Sequence, residues 1–237
     1  MNLFGIPAGE VASTDPLPPR PLAPGARRHE RPGASSMSPK VQVEHSRQSP
    51  AYWNHLYEAG YRVKEPEAFE RQMFRNYAMV KPGMLAVDVG TGRGHMAAHM
   101  AKWGLMVLAY DFSTVAITDA RSVHQGYGDE LTFAEHNFTS DAIPPELVPG
   151  TVDIISCRHS FEFLDRPRFL TDTRRWLTRA GVLQITTHRA ARMPPGSAHQ
   201  GLRDEEIEKL RRGWRYMTTY GLDGDDSLIG IVLRGPR

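Results

Sequence analysis

Apolar and polar positions divide the chain into short segments of two kinds. Leu85–Val89 (LAVDV) is an apolar run interrupted only by Asp88, the pattern of a parallel strand buried on both faces. Gly104–Tyr110 (GLMVLAY), Leu131–Glu135, Thr151–Cys157 (TVDIISC) and Val182–Thr187 read as four further strands. Between them lie helix patterns at His95–Lys102, Thr114–Gln125 and Arg166–Arg179, the last closed by Gly181. A charged helix, Asp204–Arg212, closed by Gly213, precedes two more strands at Trp214–Tyr220 and Ser227–Leu233. The GLDGDD between these two supplies turn residues, so they form a hairpin, and one edge strand must run antiparallel to its neighbours. Ala51–Gly60 and Pro66–Val80 read as two helices ahead of the sheet. Strand and helix signals that alternate in this way predict an α/β fold with a doubly wound sheet. No internal repeat is visible.

The junction after the first strand carries the chemistry. Asp88-Val89-Gly90-Thr91-Gly92-Arg93-Gly94 leads from the strand into the helix at His95. Glycines at every second position let the backbone turn sharply and approach a ligand where a Cβ would collide. The helix that follows presents free backbone N–H groups. The spacing is not that of a dinucleotide fingerprint, because the third glycine comes one residue early and His95 stands in the expected place. Nor is it a P-loop, which needs Gly-Lys-Ser/Thr. Asp88 would repel a pyrophosphate but can face an ammonium group or order water. Asp111 ends the second strand, 23 residues beyond Asp88, where an acid can accept hydrogen bonds from both ribose hydroxyls.

Together these residues resemble motif I and the following acid of class I S-adenosylmethionine (SAM)-dependent methyltransferases, a resemblance that runs from Ala51 to Arg237. It implies a Rossmann-like sheet of seven strands in the order 3-2-1-4-5-7-6 with one antiparallel strand and helices on both faces. It implies SAM as the cofactor, cradled by Asp88, Gly90, Thr91, Gly92 and Gly94, with Asp111 on the ribose. Asn137 and Phe138 then fall beside the adenine, where the family usually has an aspartate; the amide oxygen of Asn137 can accept the same hydrogen bond. Phe112 either covers one adenine face or packs in the core. The segment from Cys157 to Asp165 borders cofactor and acceptor, but the histidine common in the family is replaced by Phe163. His159 and Glu162 are the candidate general bases, with local hydrogen bonding as the alternative for each; His188, just beyond the fifth strand, also suits that role chemically. Tyr52 or Trp53, in the leading helix, is expected near the cofactor; Tyr57 and Tyr61 share that aromatic stretch.

Composition narrows the partners. Residues 51–237 carry 23 basic and 23 acidic side chains, so this body lacks the overall basic footprint of a nucleic-acid enzyme, and a small-molecule acceptor is favoured. Residues 1–50 hold nine of the 18 prolines without apolar periodicity, and read as a disordered segment ahead of the domain at 51–237. They contain no apolar stretch long enough for a signal peptide or membrane span. Cys157 is the single cysteine, which excludes an intrachain disulfide and suits a reducing cytoplasm. His95 and His99 have the i, i+4 spacing of metal ligands, but no third ligand follows and no metal is expected. The His188–Gly201 segment is short and rich in Pro and Gly, so the acceptor pocket must be completed by the N-terminal helices (51–80, expected to act as a lid) or by a second subunit, as in a homodimer. The rival readings are a SAM-fold protein without methyl transfer (a non-methylating cyclase or regulatory binder), a nucleic-acid or protein methyltransferase, and a dinucleotide oxidoreductase.

Overall fold

The structure, a computed structural model, describes residues 46–237. The Pro-rich segment assigned to residues 1–50 therefore lies almost wholly outside the described residues. Seven strands form one sheet in the order β3-β2-β1-β4-β5-β7-β6. These are β1 (Leu85–Val89), β2 (Met106–Asp111), β3 (Leu131–Glu135), β4 (Val152–Arg158), β5 (Leu177–His188), β6 (Trp214–Gly221) and β7 (Leu228–Pro236). β1 to β5 pair in parallel, whereas β7 is antiparallel to both β5 and β6. This is the order the family resemblance implies; the hairpin alone suggested an antiparallel edge strand, but the antiparallel strand is β7, which is internal. β6 takes the edge, and β7 is inserted between it and β5.

Alternation along the strands builds two cores. Val87 and Val89 of β1, with Ile155 and Cys157 of β4, face one side. There they meet Phe169 and Trp176 of α5 (Arg166–Trp176) and Ile207 of α6 (Asp204–Lys209). Ala86 and Ile154 face the other side. They meet Phe74 of α2 (Ala68–Ala78), Met100 of α3 (His95–Lys102) and Ile117 of α4 (Thr114–Val123). α1 (Pro50–Glu58) starts at the Ser49 side chain, which accepts the Tyr52 N–H, and its buried Trp53 and Tyr57 pack toward α4.

Several element ends differ from the sequence pattern, among them those of α5, β5 and α6. α5 stops at Trp176 rather than Arg179, because Leu177 pairs with Val152 and opens β5 five residues early, across an irregularity in register. Gly181 consequently lies within the strand, where a Cβ would crowd Leu177 at 2.9 Å, and caps no helix. α6 likewise ends at Lys209, leaving Leu210–Gly213 as a turn. α2 packs on β5 and β7.

Candidate active site

In an open parallel sheet the crevice opens at the carboxyl ends of strands where their order reverses, here between β1 and β4. One cavity occupies this place, enclosing about 940 Å³ with its open mouth.

Its floor is the glycine loop. Gly90 has φ +69°, and a Cβ there would lie 2.2 Å from Cβ of Ser160, so the loop and the turn after β4 approach closely only because Gly90 has no side chain. The Ser160 hydroxyl locks the approach by donating to the Val89 carbonyl at 2.5 Å. Asp88 is buried, with Oδ2 accepting the Thr91 hydroxyl at 2.7 Å and Oδ1 unpartnered. Burial pushes its pKa up, against the hydrogen bonds of Thr91 and Ser156 and the Arg158 charge. Asp111 is also buried, and its two oxygens accept the N–H groups of Gly92 (2.8 Å) and Ser113 (2.9 Å). Desolvation raises its pKa to about 6 despite these bonds and a third from Phe112.

Thr91, Gly92, Phe112, Asn137 and Phe138 line the cavity with these acids. Asn137 Oδ1 accepts the Thr139 N–H at 3.0 Å, which leaves one lone pair for a ligand. Beside it His136 also lines the cavity, and its Nε2 is buried without a partner. Three expected contacts fall elsewhere. Gly94 does not line the cavity, and its missing Cβ instead makes room for the Phe133 ring, 2.6 Å from where that atom would be. Cys157 faces the sheet core, where burial holds its thiol protonated, because the alternation of β4 turns it away from the ligand side. Tyr52 packs on the outside of the α1 cluster, and its neighbour Trp53 lines the cavity.

The other end of the cavity is aromatic. Trp53 and Phe163 form its wall, edge-on at 5.2 Å, and Tyr57 reaches from there to the glycine loop, its hydroxyl 2.9 Å from where a Gly92 Cβ would lie. Of the N-terminal helices only α1 reaches the cavity; α2 contributes no lining side chain, which corrects the expectation of a two-helix lid. His159 lines this end in a left-handed backbone conformation (φ +57°), held by its N–H on the Thr186 carbonyl at 2.8 Å. A non-glycine residue held there is strained, a state that clusters at functional sites. Burial, with Arg158 and the neighbouring histidines, pushes its pKa well down, so His159 is neutral. Its ring stacks on that of His188 at 5.1 Å.

Glu162 does not face the cavity. Its side chain is 3% exposed and accepts His199 Nδ1–H at 2.9 Å, the Gln200 N–H at 3.1 Å and the Gly201 N–H. The lining residue is His199, whose place in the Pro/Gly-rich segment gave no sequence signal. His95 lies against Glu65 (3.5 Å) while His99 stacks on Trp103. Among the described residues no group of three or more His, Cys, Asp or Glu is arranged to hold a metal.

Arg158, at the end of β4, lines the cavity while its guanidinium binds Glu70 of α2 twice, at 2.7 and 3.1 Å. Both side chains are nearly buried, at 11% and 6% exposed. Removing one partner leaves the other charge buried and uncompensated. Glu70→Ala is expected to lower unfolding stability by about 3–5 kcal/mol, read as a lower urea midpoint. A change under ~1 kcal/mol would show that water reaches the pair.

Residues 87–185 match the family model described as "Methyltransferase domain". A ubiquinone biosynthesis O-methyltransferase of Paraburkholderia xenovorans is 28% identical over 101 residues, 42% of this chain and 41% of that one. The phosphoethanolamine N-methyltransferase 2 of Haemonchus contortus, solved with phosphomonomethylethanolamine and S-adenosylhomocysteine, superposes with a TM-score of 0.60 at 15% identity. That likeness covers 78% of this chain and 57% of that one, so this chain spans only about two fifths to three fifths of the length of these two relatives. The [4+2]-cyclase SpnF superposes with a TM-score of 0.63 at 14% identity, over 81% of this chain and 96% of its own. Residues 87–185 thus match a methyltransferase domain, and they lie on a sheet and glycine loop of the order and kind that the class I SAM-dependent resemblance implies.

Proposed function

We propose that the protein transfers a methyl group from SAM to a small-molecule acceptor bound in the same cavity. The observation that carries this reading is the cavity's two unlike ends: buried carboxylates and glycine backbone at one, aromatic rings and imidazoles at the other. The residues fit the cofactor. Asp88 Oδ1 is a buried acceptor without a partner, suited to an ammonium group directly or through water. Asp111 is held by backbone N–H groups so that its remaining lone pairs can accept ribose hydroxyls, and Asn137 with His136 offers polar atoms for an adenine edge. When bound, SAM supplies a methyl group already activated by the sulfonium. The chain's task is then chiefly to orient the acceptor and exclude water. Trp53, Tyr57 and Phe163 provide the apolar wall for this. Their faces also suit a cation.

The likeness to SpnF supports the rival reading of a fold that binds the cofactor without methyl transfer. Calorimetric titration with SAM, S-adenosylhomocysteine and NADH tests the first step. Micromolar binding of the first two and none of NADH is expected. An acceptor screen scored by S-adenosylhomocysteine formation then separates a transferase from a cyclase or binder. Binding of NADH alone would overturn the proposal.

A further inference from the structure

We propose that Glu162 and His199 form a general-base dyad, and that the acceptor it serves is an uncharged planar phenol, methylated on oxygen. This rests on the methyltransferase reading above and assigns the acceptor end of that same cavity.

The dyad follows from hydrogen bonding. A carboxylate only accepts, so the 2.9 Å contact with Glu162 selects the His199 tautomer that carries its proton on Nδ1. Nε2 then carries the lone pair. That atom is buried, has no partner in the protein, and belongs to a residue lining the cavity. A buried basic nitrogen without a partner, beside the cavity, calls for a donor, which an acceptor seated against this wall can supply. The backbone N–H groups of Gln200 and Gly201 on the other Glu162 oxygen hold the carboxylate still, so it is a positioning residue and not the base. The groups facing His199 are Glu162, His159 at 5.3 Å, Tyr61 at 6.5 Å, Trp53 at 5.4 Å and Phe163 at 5.8 Å. His159 is neutral, as is its partner His188, whose pKa burial also lowers. A proton arriving on Nε2 therefore meets no competing cation among these rings and is stabilised by the Glu162 carboxylate.

The acceptor's character follows from what surrounds it. Trp53 and Phe163 suit a flat ring. Among the described residues, the two guanidinium groups lining the cavity are both charge-paired, Arg158 with Glu70 and Arg93 with Asp119. Both charges are thus already compensated, so neither side chain offers an uncompensated positive charge to an acceptor carboxylate or phosphate. In the reaction the phenol O–H bond breaks and its proton goes to Nε2. The electron pair left on oxygen forms the new bond to the methyl carbon. The pair of the broken carbon–sulfur bond stays on sulfur, and imidazolium carries the positive charge the sulfonium loses.

The test uses the full chain and nitrophenols, whose visible absorbance reports ionisation without any methyl donor. Bound wild-type protein should show the phenolate band below the pH at which the free nitrophenol ionises; His199→Gln should not. With S-adenosylmethionine present, turnover of a non-acidic phenol should fall ~100-fold or more in His199→Gln. In Glu162→Gln it should fall about tenfold in kcat with KM little changed, and Glu162→Asp should restore part of the loss. Turnover of a nitrophenol already ionised at assay pH should change less than threefold in His199→Gln, a contrast that misfolding cannot produce. Equal losses on both phenols, or a wild-type protein that binds S-adenosylhomocysteine but no phenol, would overturn the dyad and the acceptor class. A protein that binds no S-adenosylhomocysteine would instead overturn the methyltransferase reading beneath them.

Discussion

Gly90→Val is expected to remove measurable binding of SAM and S-adenosylhomocysteine and to destabilise the fold. The backbone at position 90 is left-handed, which costs an L-residue about 1–2 kcal/mol. The new Cβ would lie 2.2 Å from Cβ of Ser160 and 2.9 Å from its hydroxyl oxygen, far inside contact distance. Overpacking of this kind adds about 1–3 kcal/mol. Relief requires the turn carrying His159 and Ser160 to move away from β1, which opens the floor of the cavity. Gly224→Ala is the control, because its Cβ would meet nothing within 4 Å and its backbone is not left-handed. Calorimetry with S-adenosylhomocysteine and thermal melts of both variants check this. Wild-type affinity in Gly90→Val would show that the cofactor does not use this cradle.

Asp111 gives the second large effect, with opposite signs for binding and stability. Asp111→Ala removes the proposed ribose acceptor and leaves the N–H groups of Gly92 and Ser113 without a partner. Affinity for S-adenosylhomocysteine is expected to fall by ~100-fold, about 3 kcal/mol. In the wild type the carboxyl takes a proton as pH falls through about 6, and below that affinity should drop by up to about tenfold per unit. Stability moves the other way. The folded pKa of about 6 lies above the ordinary 3.8, so the folded state takes up the proton first and the burial penalty on the charge is relieved between those values. The gain approaches about 3 kcal/mol at acid pH and is absent above pH 6–7. The difference in urea stability between wild type and Asp111→Asn isolates this contribution from other acids. Affinity that is flat from pH 7 to 5 would show that the ionised carboxyl is not what the ligand needs.

Much of the frame was legible in the chain. Apolar runs bounded by turn residues located every strand, all but β5 to within about three positions, most securely in the centre of the sheet, where burial on both faces leaves no polar alternative. Asp88 and Asp111 could be placed at strand ends because the spacing between them is one helix plus one strand. Gly90 was readable because its role is local: a sharp turn and a close approach demand the absence of a side chain.

What the sequence by itself determined about this protein is the set of elements, the nucleotide-type loop and its two acids. The tertiary structure alone decided which distant side chains meet. β5 begins at Leu177 because pairing with Val152 overrides helical pattern. Glu162 turns from a candidate base into the anchor of His199, a residue 37 positions away. Cys157 leaves the site because the pleat of β4 turns it into the core. Periodicity and backbone sterics act over a few residues and can be read from them. Long-range packing and hydrogen bonding couple segments whose local patterns carry no record of each other.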